Sequence, residues 1–223
     1  MSLSQTLLEL SLRHRAALSA RDRADFEDEM DRLRMLRVAE DGLAVGDYLP
    51  DFTLEDGEGR SWASGDLLDR GPLVLALFRG GWCPYCERTM VALEEARPAI
   101  EALGATAVGV MPGGRQTVAA SAARHGVRYP LLRDPGNGFA RTCGLAYEMS
   151  AGHIRLHRDR GRDLATLHED KTWRLPVPAV FVVEPSARVA WAFSDVDPAR
   201  WPDPQALLAS LEALRDAHAL SNR

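Results

Sequence analysis

The feature that most restricts the fold is an unbroken apolar run at residues 73–78, Leu-Val-Leu-Ala-Leu-Phe. A short run that is apolar at every position is typical of a strand buried on both faces, because a half-exposed strand alternates apolar and polar residues. A helical pattern follows, in which Pro84 suits the first turn and Gly104 suits the end. We therefore predict a buried strand at 73–78 that leads directly into a helix over 84–103.

Short apolar runs and helical patterns continue to alternate along the chain. Their order is strand, helix, strand, helix, then a hairpin and a closing helix, which predicts an α/β fold with a central mixed β-sheet flanked by helices. Further strands are predicted at 106–111, 129–134, 179–184 and 188–194, with loop and short strands over 42–62 and a turn at Glu55–Gly59. Further helices are predicted at 115–125 and 202–220, and another helix is predicted to start within 137–143.

Two regions fall outside this alternation. Leucines recur near helical spacing over residues 3–38, which predicts one or two amphipathic helices in an N-terminal helical extension, residues 1–41. The main domain is predicted at 42–223, and within it residues 150–174 are polar and charge-mixed, which we interpret as a surface insertion. The leucine stripe fits either a homodimer contact or a cover for the domain.

Composition excludes some classes of function. The formal net charge is −5, which gives no electrostatic reason to expect a nucleic-acid partner. The N-terminal residues lack the features of a secretory signal, and no apolar run approaches the roughly 20 residues that cross a bilayer. We therefore expect a soluble, cytoplasmic protein. Three cysteines are too few for a disulfide scaffold, and in a reducing compartment a Cys-x-x-Cys pair more often serves catalysis or metal binding.

The pair is Cys83 and Cys86, with Pro84 and Tyr85 between them, and it lies where the predicted strand gives way to the helix. Free N–H groups and the positive end of the helix dipole stabilise a thiolate there, and the thiolate is the reactive form. Cys86 follows one helical turn later, so the two sulfurs can form a reversible disulfide. We predict that Cys83 attacks a substrate and that Cys86 resolves the product.

Neighbouring residues suggest how this chemistry is supported. Pro84 stiffens the first helical turn, and Trp82 can shield one side of the sulfur. We expect the loop Arg-Gly-Gly-Trp to be exposed, with Cys83 exposed after it and Cys86 more buried. Arg79 either stabilises a thiolate or a peroxide's developing charge, or is an ordinary solvent-facing cation.

Other interpretations of these residue types compete with a redox pair. A zinc site needs two more ligands, and the chain offers only Cys143 and scattered histidines; an inert pair of buried cysteines is also an alternative. Cys143 itself fits a core position better than a resolving role. His153 and His157 have the spacing of a metal pair on a helix, but in this arginine-rich insertion a solvated face is favoured. Pro98 is expected to kink its helix.

The chain resembles the thioredoxin-like superfamily in its active-site segment, LVLALFRGGWCPYCERTM, and more closely the AhpC/TSA branch of peroxiredoxin-like proteins. Three further segments resemble that branch's entry hairpin, central segment and closing hairpin: VGDYLPDFTLEDGEGR, YPLLRDPGNGFARTCGLAY and LPVPAVFVVEPSARVAWAFSDVD. Together they cover about residues 42–218. The resemblance implies a thioredoxin-like fold and a thiol-dependent oxidoreductase that needs no metal or organic cofactor.

Departures from the family pattern bear on the choice of reaction. Peroxiredoxins carry Pro-x-x-x-Thr-x-x-Cys; with the reactive cysteine on Cys86, the threonine falls on Cys83 and the proline on Arg79. The family's distant arginine falls on Pro178. The pattern Trp-Cys-Pro-x-Cys is instead similar to that of thioredoxins, in which a cis-proline faces the disulfide. That resemblance predicts a cis bond between Val177 and Pro178, packed against the cysteines.

The resemblance leaves three functions open. The first is a thiol-disulfide oxidoreductase, with a thioredoxin or glutathione system as electron donor. The second is a peroxiredoxin-type peroxidase that reduces hydroperoxides, and the third is a non-enzymatic redox sensor or binding module. The buried acid that thioredoxins place beneath their cysteines falls on Leu77, so proton removal from Cys86 needs another group or water.

Overall fold

The computed structural model describes residues 1–221, in which helices and strands alternate over most of the chain. The helices are α1 (Leu3–Ala16), α2 (Ala20–Met35), α3 (Ser64–Leu68), α4 (Pro84–Ala102), α5 (Arg115–His125), α6 (Gly138–Thr142), α7 (Ala151–Arg158), α8 (Leu164–Leu167) and α9 (Pro204–Ser221). The strands are β1 (Thr53–Asp56), β2 (Ser61–Ala63), β3 (Leu73–Leu77), β4 (Thr106–Met111), β5 (Leu131–Arg133), β6 (Ala146–Glu148), β7 (Arg174–Pro176), β8 (Ala179–Val183) and β9 (Val189–Ser194).

Seven strands form the central sheet, in the order β2-β1-β5-β4-β3-β8-β9. Strands β3, β4 and β5 are parallel neighbours, whereas β8 runs antiparallel to β3 and pairs with β9 as the predicted hairpin. Helices pack on both faces of this mixed sheet, so the predicted α/β fold with a central mixed sheet flanked by helices is confirmed. Strand β3 lies near the middle of the sheet, which places the cysteine pair at the end of a central strand.

The core consists of two apolar clusters, one on each face of the sheet. Leu73, Leu75 and Leu77 enter one cluster, whereas Val74 and Ala76 enter the other, because successive side chains of a strand point to opposite faces. Every residue of β3 is buried, as the uninterrupted apolar run predicted. Both cysteines of the pair belong to the second cluster, the one that α4 covers.

Several short elements were not predicted from the sequence. Helix α3 follows β2 directly, and β6 pairs antiparallel with β7 in a separate two-stranded sheet. These segments have three to five residues each, which is too short for a periodic pattern to develop. The predicted turn between β1 and β2 is present, and there the buried carboxylate of Asp56 accepts hydrogen bonds from Arg60 Nε and Trp62 Nε1.

The N-terminal helices, which precede the sheet, pack against the segment 150–174, which lies between strands of the sheet. Helix α1 contacts α4, and α2 contacts α7, so the N-terminal helices and the segment 150–174 meet above the start of α4. Leu7, Met30 and Leu33 are buried in these contacts, whereas Leu8 and Leu12 remain exposed. The buried leucines of the N-terminal helices therefore cover the domain, whereas the exposed ones do not. No described helix is long and apolar enough to span a membrane.

Candidate active site

The loop between β3 and α4 is shaped by two glycines. Gly80 adopts φ 137°, a region that side chains rarely occupy, and a Cβ there would lie 2.6 Å from Trp82 Nε1. A Cβ on Gly81 would lie 2.0 Å from Ser121 Oγ. The loop is therefore packed tightly against its surroundings, and Arg79 and both glycines are buried. The prediction that this loop is exposed is wrong, because segments distant in the sequence cover it.

Cys83 lies at the N-cap of α4, with Pro84 at the first helical position as predicted. Since Pro84 has no N–H, the first free N–H groups of the helix belong to Tyr85 and Cys86. Burial raises the pKa of the Cys83 thiol, but the Cys86 thiol, the Arg79 guanidinium and these two N–H groups outweigh it and lower the pKa to about 6. A substantial fraction of Cys83 is therefore thiolate at neutral pH.

Cys86 has the opposite environment. Burial, together with the neighbouring Cys83 sulfur, raises its pKa well above the usual value. The backbone N–H of Arg79 donates to its Sγ at 3.3 Å. Cys83 and Cys86 are 1% and 3% exposed, so the expectation of an exposed Cys83 is wrong. The two cysteines differ in access: Cys83 lines a cavity, and Cys86 is not among the lining residues of that cavity.

Arg79 is a buried cation, not a solvent-facing one. It is 4% exposed, its Nε has no hydrogen-bond partner, and no carboxylate of the described chain lies within 4.0 Å of its guanidinium. Its Cζ lies 5.3 Å from the centroid of the Trp82 ring. Of the two roles weighed for it, stabilisation of a thiolate agrees with this placement, because it contributes to the lowered pKa of Cys83.

The polar segment 150–174 folds over this loop. His153, His157 and His168 are each 5% exposed or less, so the expectation of a solvated face here is wrong. Arginines of the segment pair with α2. Two of its histidines face Trp82: the centroid of the His157 ring lies 4.9 Å from that of Trp82, and His168 Nε2 accepts a hydrogen bond from Trp82 Nε1 at 2.9 Å. Charge mixing in the sequence concealed a segment with one buried side.

These histidines are neutral near pH 7. Burial is the largest cause, and nearby cations including Arg79 add to it, so the pKa of His157 is lowered to about 2 and that of His168 to about 4. The pKa of His153 is also lowered by burial, although its Nδ1 lies 3.5 Å from the fully buried carboxylate of Glu29. No three metal-ligating side chains of the described residues are arranged to hold an ion.

Helices α1 and α2 supply the other wall. Nδ1 of His14 lies 3.2 Å from the hydroxyl of Tyr85, within the Cys-Pro-Tyr-Cys motif itself. The guanidinium of Arg160 pairs with Asp22 at 3.2 Å, and Arg155 pairs with Asp25, which fastens the polar segment to α2. The extension and the insertion thus form a single cover over the cysteine pair.

A partly open cavity of about 320 Å³ lies beneath this cover. Its walls come from α1 and α2, from the loop before α4 and its first turn, and from α7 and the residues after it. The lining residues are His14, Arg15, Ala17, Leu18, Phe26, Arg79, Trp82, Cys83, Pro84, Tyr85, His153, Leu156, His157, Arg160, Arg162 and Pro198. Of the residues singled out in the sequence, Arg79, Trp82, Cys83, Pro84 and Tyr85 therefore meet at one site.

Val177 and Pro178 do not follow the prediction made for them. The described chain has no cis peptide bond, so the bond between them is trans. Both residues are buried, but neither lines the cavity. The backbone here is held as an extended connection between two strands: the N–H of Val177 donates to Leu145 O at 2.8 Å, and Asp195 N donates to Pro178 O at 3.2 Å. The trans form found here is the one that X–Pro bonds prefer.

Two other sequence candidates have structural positions. Cys143 is 3% exposed in the apolar cluster on the opposite face from the pair, and burial raises its pKa to about 12, which agrees with a core role. Pro98 lies inside α4. Sequence reasoning missed His14 and His168, which reach the site from distant segments. Their polar surroundings gave no periodic signal that could have found them.

Comparison with known proteins agrees with this fold. The AhpC/TSA family model matches residues 45–192. The thiol-disulfide oxidoreductase ResA of Geobacillus thermodenitrificans is 37% identical over 93 residues, which is 41% of this chain and 52% of ResA. The ResA of Geobacillus kaustophilus is 34% identical over the same length. The chain thus spans about half the length of the curated relatives it matches.

Solved structures show the same fold at low identity. The peroxidoxin BcpB of Mycobacterium tuberculosis superposes with a TM-score of 0.60 at 22% identity, over 77% of this chain and 97% of that one. A Chlorobium tepidum protein proposed to be the thiol:disulfide interchange protein DsbE gives a TM-score of 0.55 at 18% identity, over 78% and 99%. The family match covers well over half of the chain. This chain therefore belongs to the AhpC/TSA family and has a thioredoxin-like fold.

Proposed function

We propose that this protein is a thiol-disulfide oxidoreductase in which Cys83 attacks and Cys86 resolves. The observation that carries the proposal is the contrast between two sulfurs one helical turn apart. Cys83 faces a cavity and has a lowered pKa, whereas Cys86 faces the protein and has a raised one. Thiolate character and access are what an attacking thiol requires.

The reaction follows from these positions. The Cys83 thiolate attacks one sulfur of a substrate disulfide, forms a mixed disulfide and releases the other sulfur as a thiolate. Cys86 then loses its proton to that leaving thiolate or to water, since Leu77 stands where a thioredoxin has a carboxylate that could accept it. The Cys86 sulfur attacks Cys83, which gives the Cys83–Cys86 disulfide and releases the second substrate thiol.

Return to the dithiol requires an external reductant, and we propose a thioredoxin or glutathione system in a reducing, cytoplasmic compartment. The name of the ResA relatives supports disulfide chemistry, and their similarity spans part of each chain. The active-site departures also favour it, since Cys83, Arg79 and Pro178 stand where a peroxidase would carry threonine, proline and arginine.

Reduction of hydroperoxides is a second candidate, and the buried guanidinium of Arg79 favours it. A cation beside Cys83 can stabilise charge on an oxygen that leaves a peroxide. The thiolate would attack the terminal oxygen, release an alkoxide and become a sulfenic acid. Cys86 would then condense with the sulfenic acid to give the same disulfide and water.

A side-by-side measurement separates the candidates. Prereduced protein is mixed with bis(2-hydroxyethyl) disulfide or with hydrogen peroxide, and loss of its thiols is followed by stopped flow. Turnover of each oxidant is then measured with thioredoxin and with glutathione as reductant. We expect faster oxidation by the disulfide, and peptide mapping of the product should find Cys83 linked to Cys86.

The other outcomes are equally specific. Faster oxidation by peroxide, with a sulfenic acid detectable before the disulfide, would move the protein to the peroxidase class. Oxidation that either reagent produces once, without turnover on either reductant, would support a redox sensor instead. A bound zinc ion, or two freely alkylated thiols after mild oxidation, would refute the redox pair altogether.

A further inference from the structure

The cavity above Cys83 is lined by cations. Four arginines and three histidines line it, and no aspartate or glutamate is among its lining residues. The histidines are neutral near pH 7, because burial lowers their pKa values. The arginines therefore set the charge of this cavity at neutral pH.

Two of the four arginines are compensated from outside the cavity. Arg15 pairs with Asp197 at 3.3 Å, and Arg160 pairs with Asp22 at 3.2 Å. Arg79 and Arg162 form no ion pair or side-chain hydrogen bond with any described residue. Their Cζ atoms lie 5.3 Å and 6.0 Å from the centroid of the same ring, Trp82. Two guanidinium groups without a carboxylate partner thus converge on the side chain of Trp82, the residue before the attacking cysteine.

The charge balance of Arg79 changes during the reaction. In the resting protein the Cys83 thiolate lies near this buried guanidinium and offsets its charge. Formation of the mixed disulfide removes that negative charge. A buried cation without a partner is costly, so an anionic group that arrives with the substrate would stabilise the intermediate.

Size also restricts the substrate. Cys83 is 1% exposed, and α1 with the segment 150–174 stands between it and bulk solvent. A cavity of about 320 Å³ is at the low end of the range for small-molecule sites, about 300–1,000 Å³. A disulfide within a folded protein could reach the sulfur only if this cover moved, and the same holds for a thioredoxin as reductant.

From these observations we infer that the substrate is a small disulfide that carries one or more carboxylates, held by Arg79 and Arg162. The inference rests on the proposed disulfide exchange and adds its substrate class. The Cys83 thiolate breaks the disulfide bond of the substrate, one half leaves as a carboxylate-bearing thiolate, and the other half stays bonded to Cys83 with its carboxylate near the two arginines. Cys86 then displaces it as described above.

Three disulfides of similar size and different charge test the inference. Prereduced protein is oxidised in single turnovers by 3,3′-dithiodipropionate, which is dianionic, by neutral bis(2-hydroxyethyl) disulfide, and by dicationic cystamine. Each rate constant is divided by that of a small free thiolate with the same reagent, which removes intrinsic reactivity. We expect the dianion to exceed the neutral disulfide by at least about tenfold, with cystamine slowest, since charged clefts raise association rates by about 10–10³-fold. The preference should shrink as salt is added.

Paired variants locate the effect. Arg162→Gln removes one uncompensated guanidinium and should reduce the ratio of dianion to neutral rate constants by at least about threefold. Arg158→Gln is the matched control, because Arg158 lies on the same segment, is exposed over Trp173 and does not line the cavity. We expect it to keep the wild-type ratio.

The outcomes separate the two proposals. Normalised rates that are equal for all three reagents, or an equal loss of preference in both variants, would overturn the anionic substrate and leave disulfide exchange standing. No reaction with any of the three would overturn disulfide exchange itself. Insulin reduced as fast as the dianion would show that the cover admits protein disulfides, which also contradicts a small substrate.

Discussion

The three cysteines of this chain differ in pKa although all are buried. Burial raises a thiol's pKa, as it does for Cys143, whose pKa rises to about 12 with a smaller contribution from Asp134. Cys83 departs from that trend because a guanidinium, a second thiol and the free N–H groups of a helix start surround it. Cys86 also lies near Arg79, but burial and the Cys83 sulfur outweigh that cation and raise its pKa. Position relative to α4 and Arg79, more than exposure, therefore decides which sulfur is reactive.

Cysteine variants test these roles. Cys86→Ser should trap a mixed disulfide with bis(2-hydroxyethyl) disulfide, because the first attack survives and the resolving step does not; intact-mass spectrometry would show the adduct. Cys83→Ser should form none. Cys143→Ser is the control and should oxidise as the wild type does. A Cys83→Ser protein that still forms a sulfenic acid with peroxide at Cys86 would reverse the assignment.

Arg79 can be tested through the pH dependence of alkylation. The rate at which iodoacetamide modifies Cys83 in the folded protein should rise with pH, and the midpoint of this pH profile should lie near 6, since only the thiolate reacts. Arg79→Met removes a charge that favours the thiolate, so the midpoint should move upward by about one unit or more. Arg79→Lys should keep much of the wild-type midpoint. Equal midpoints in all three proteins would exclude an electrostatic role for this side chain.

Among the elements, the segment from α7 to β7 departs furthest from its sequence character. It is rich in arginine, yet Leu164 and its three histidines are fully or nearly buried. Arginines on its outer side pair with α2, and the imidazole rings of His157 and His168 contact Trp82. Such a segment costs free energy when its histidines become charged, which connects its packing to pH.

We predict that the free energy of unfolding falls as the pH drops below about 6.5. His157 and His168 have folded pKa values of about 2 and about 4, below the unfolded value, so the unfolded chain binds more protons in this window. Each histidine contributes stability that is fully present above about pH 6.5 and is lost as the pH falls toward its folded pKa. In this window the free energy of unfolding should fall by up to about 1.4 kcal/mol per pH unit for each histidine.

Urea unfolding at pH 7, 6 and 5 measures this slope. The double variant His157→Gln/His168→Gln should be less stable at pH 7, because it loses the hydrogen bond from Trp82 and its packing, but its stability should vary less with pH. A double variant with the wild-type slope would show that other groups cause the acid sensitivity.

For the molecule as a whole, the N-terminal helices and the sheet domain are joined at the site. Leu7 on α1 is fully buried in the cluster that contains both cysteines of the pair, and His14 on the same helix contacts Tyr85. Access to Cys83 therefore depends on a helix far from it in sequence.

Loosening α1 should open the site. Leu7→Ala removes buried apolar atoms, which lowers stability by about 2–5 kcal/mol. If only part of this loss destabilises the docked position of α1, the population of molecules with α1 detached should still rise by at least about tenfold. Modification of Cys83 by a bulky polyethylene-glycol maleimide should accelerate accordingly, while the small reagent iodoacetamide gains less.

Leu8→Ala is the matched control, because Leu8 neighbours Leu7 on α1 and is 59% exposed. It should leave both alkylation rates unchanged. Equal acceleration in the two variants, or none in Leu7→Ala despite a measured loss of stability, would contradict the view that α1 guards the sulfur.

The sequence by itself determined the sheet, the helix start and the cysteine pair. These are local or periodic features: a run apolar at every position from 73 to 78, a proline at the first helical position, and two cysteines one turn apart. Their physical cause acts over a few residues, so it can be read without knowing the rest of the fold.

Only the tertiary structure decided what surrounds the pair. The burial of Arg79, the neutral histidines above Trp82 and the trans bond before Pro178 all depend on contacts between segments far apart in the chain. A charged segment is interpreted as exposed surface when the segments that pack against it are unknown, because burial depends on contacts and not on composition. In this protein those contacts convert an exposed-looking loop into a covered, cationic cavity with Cys83 in its wall.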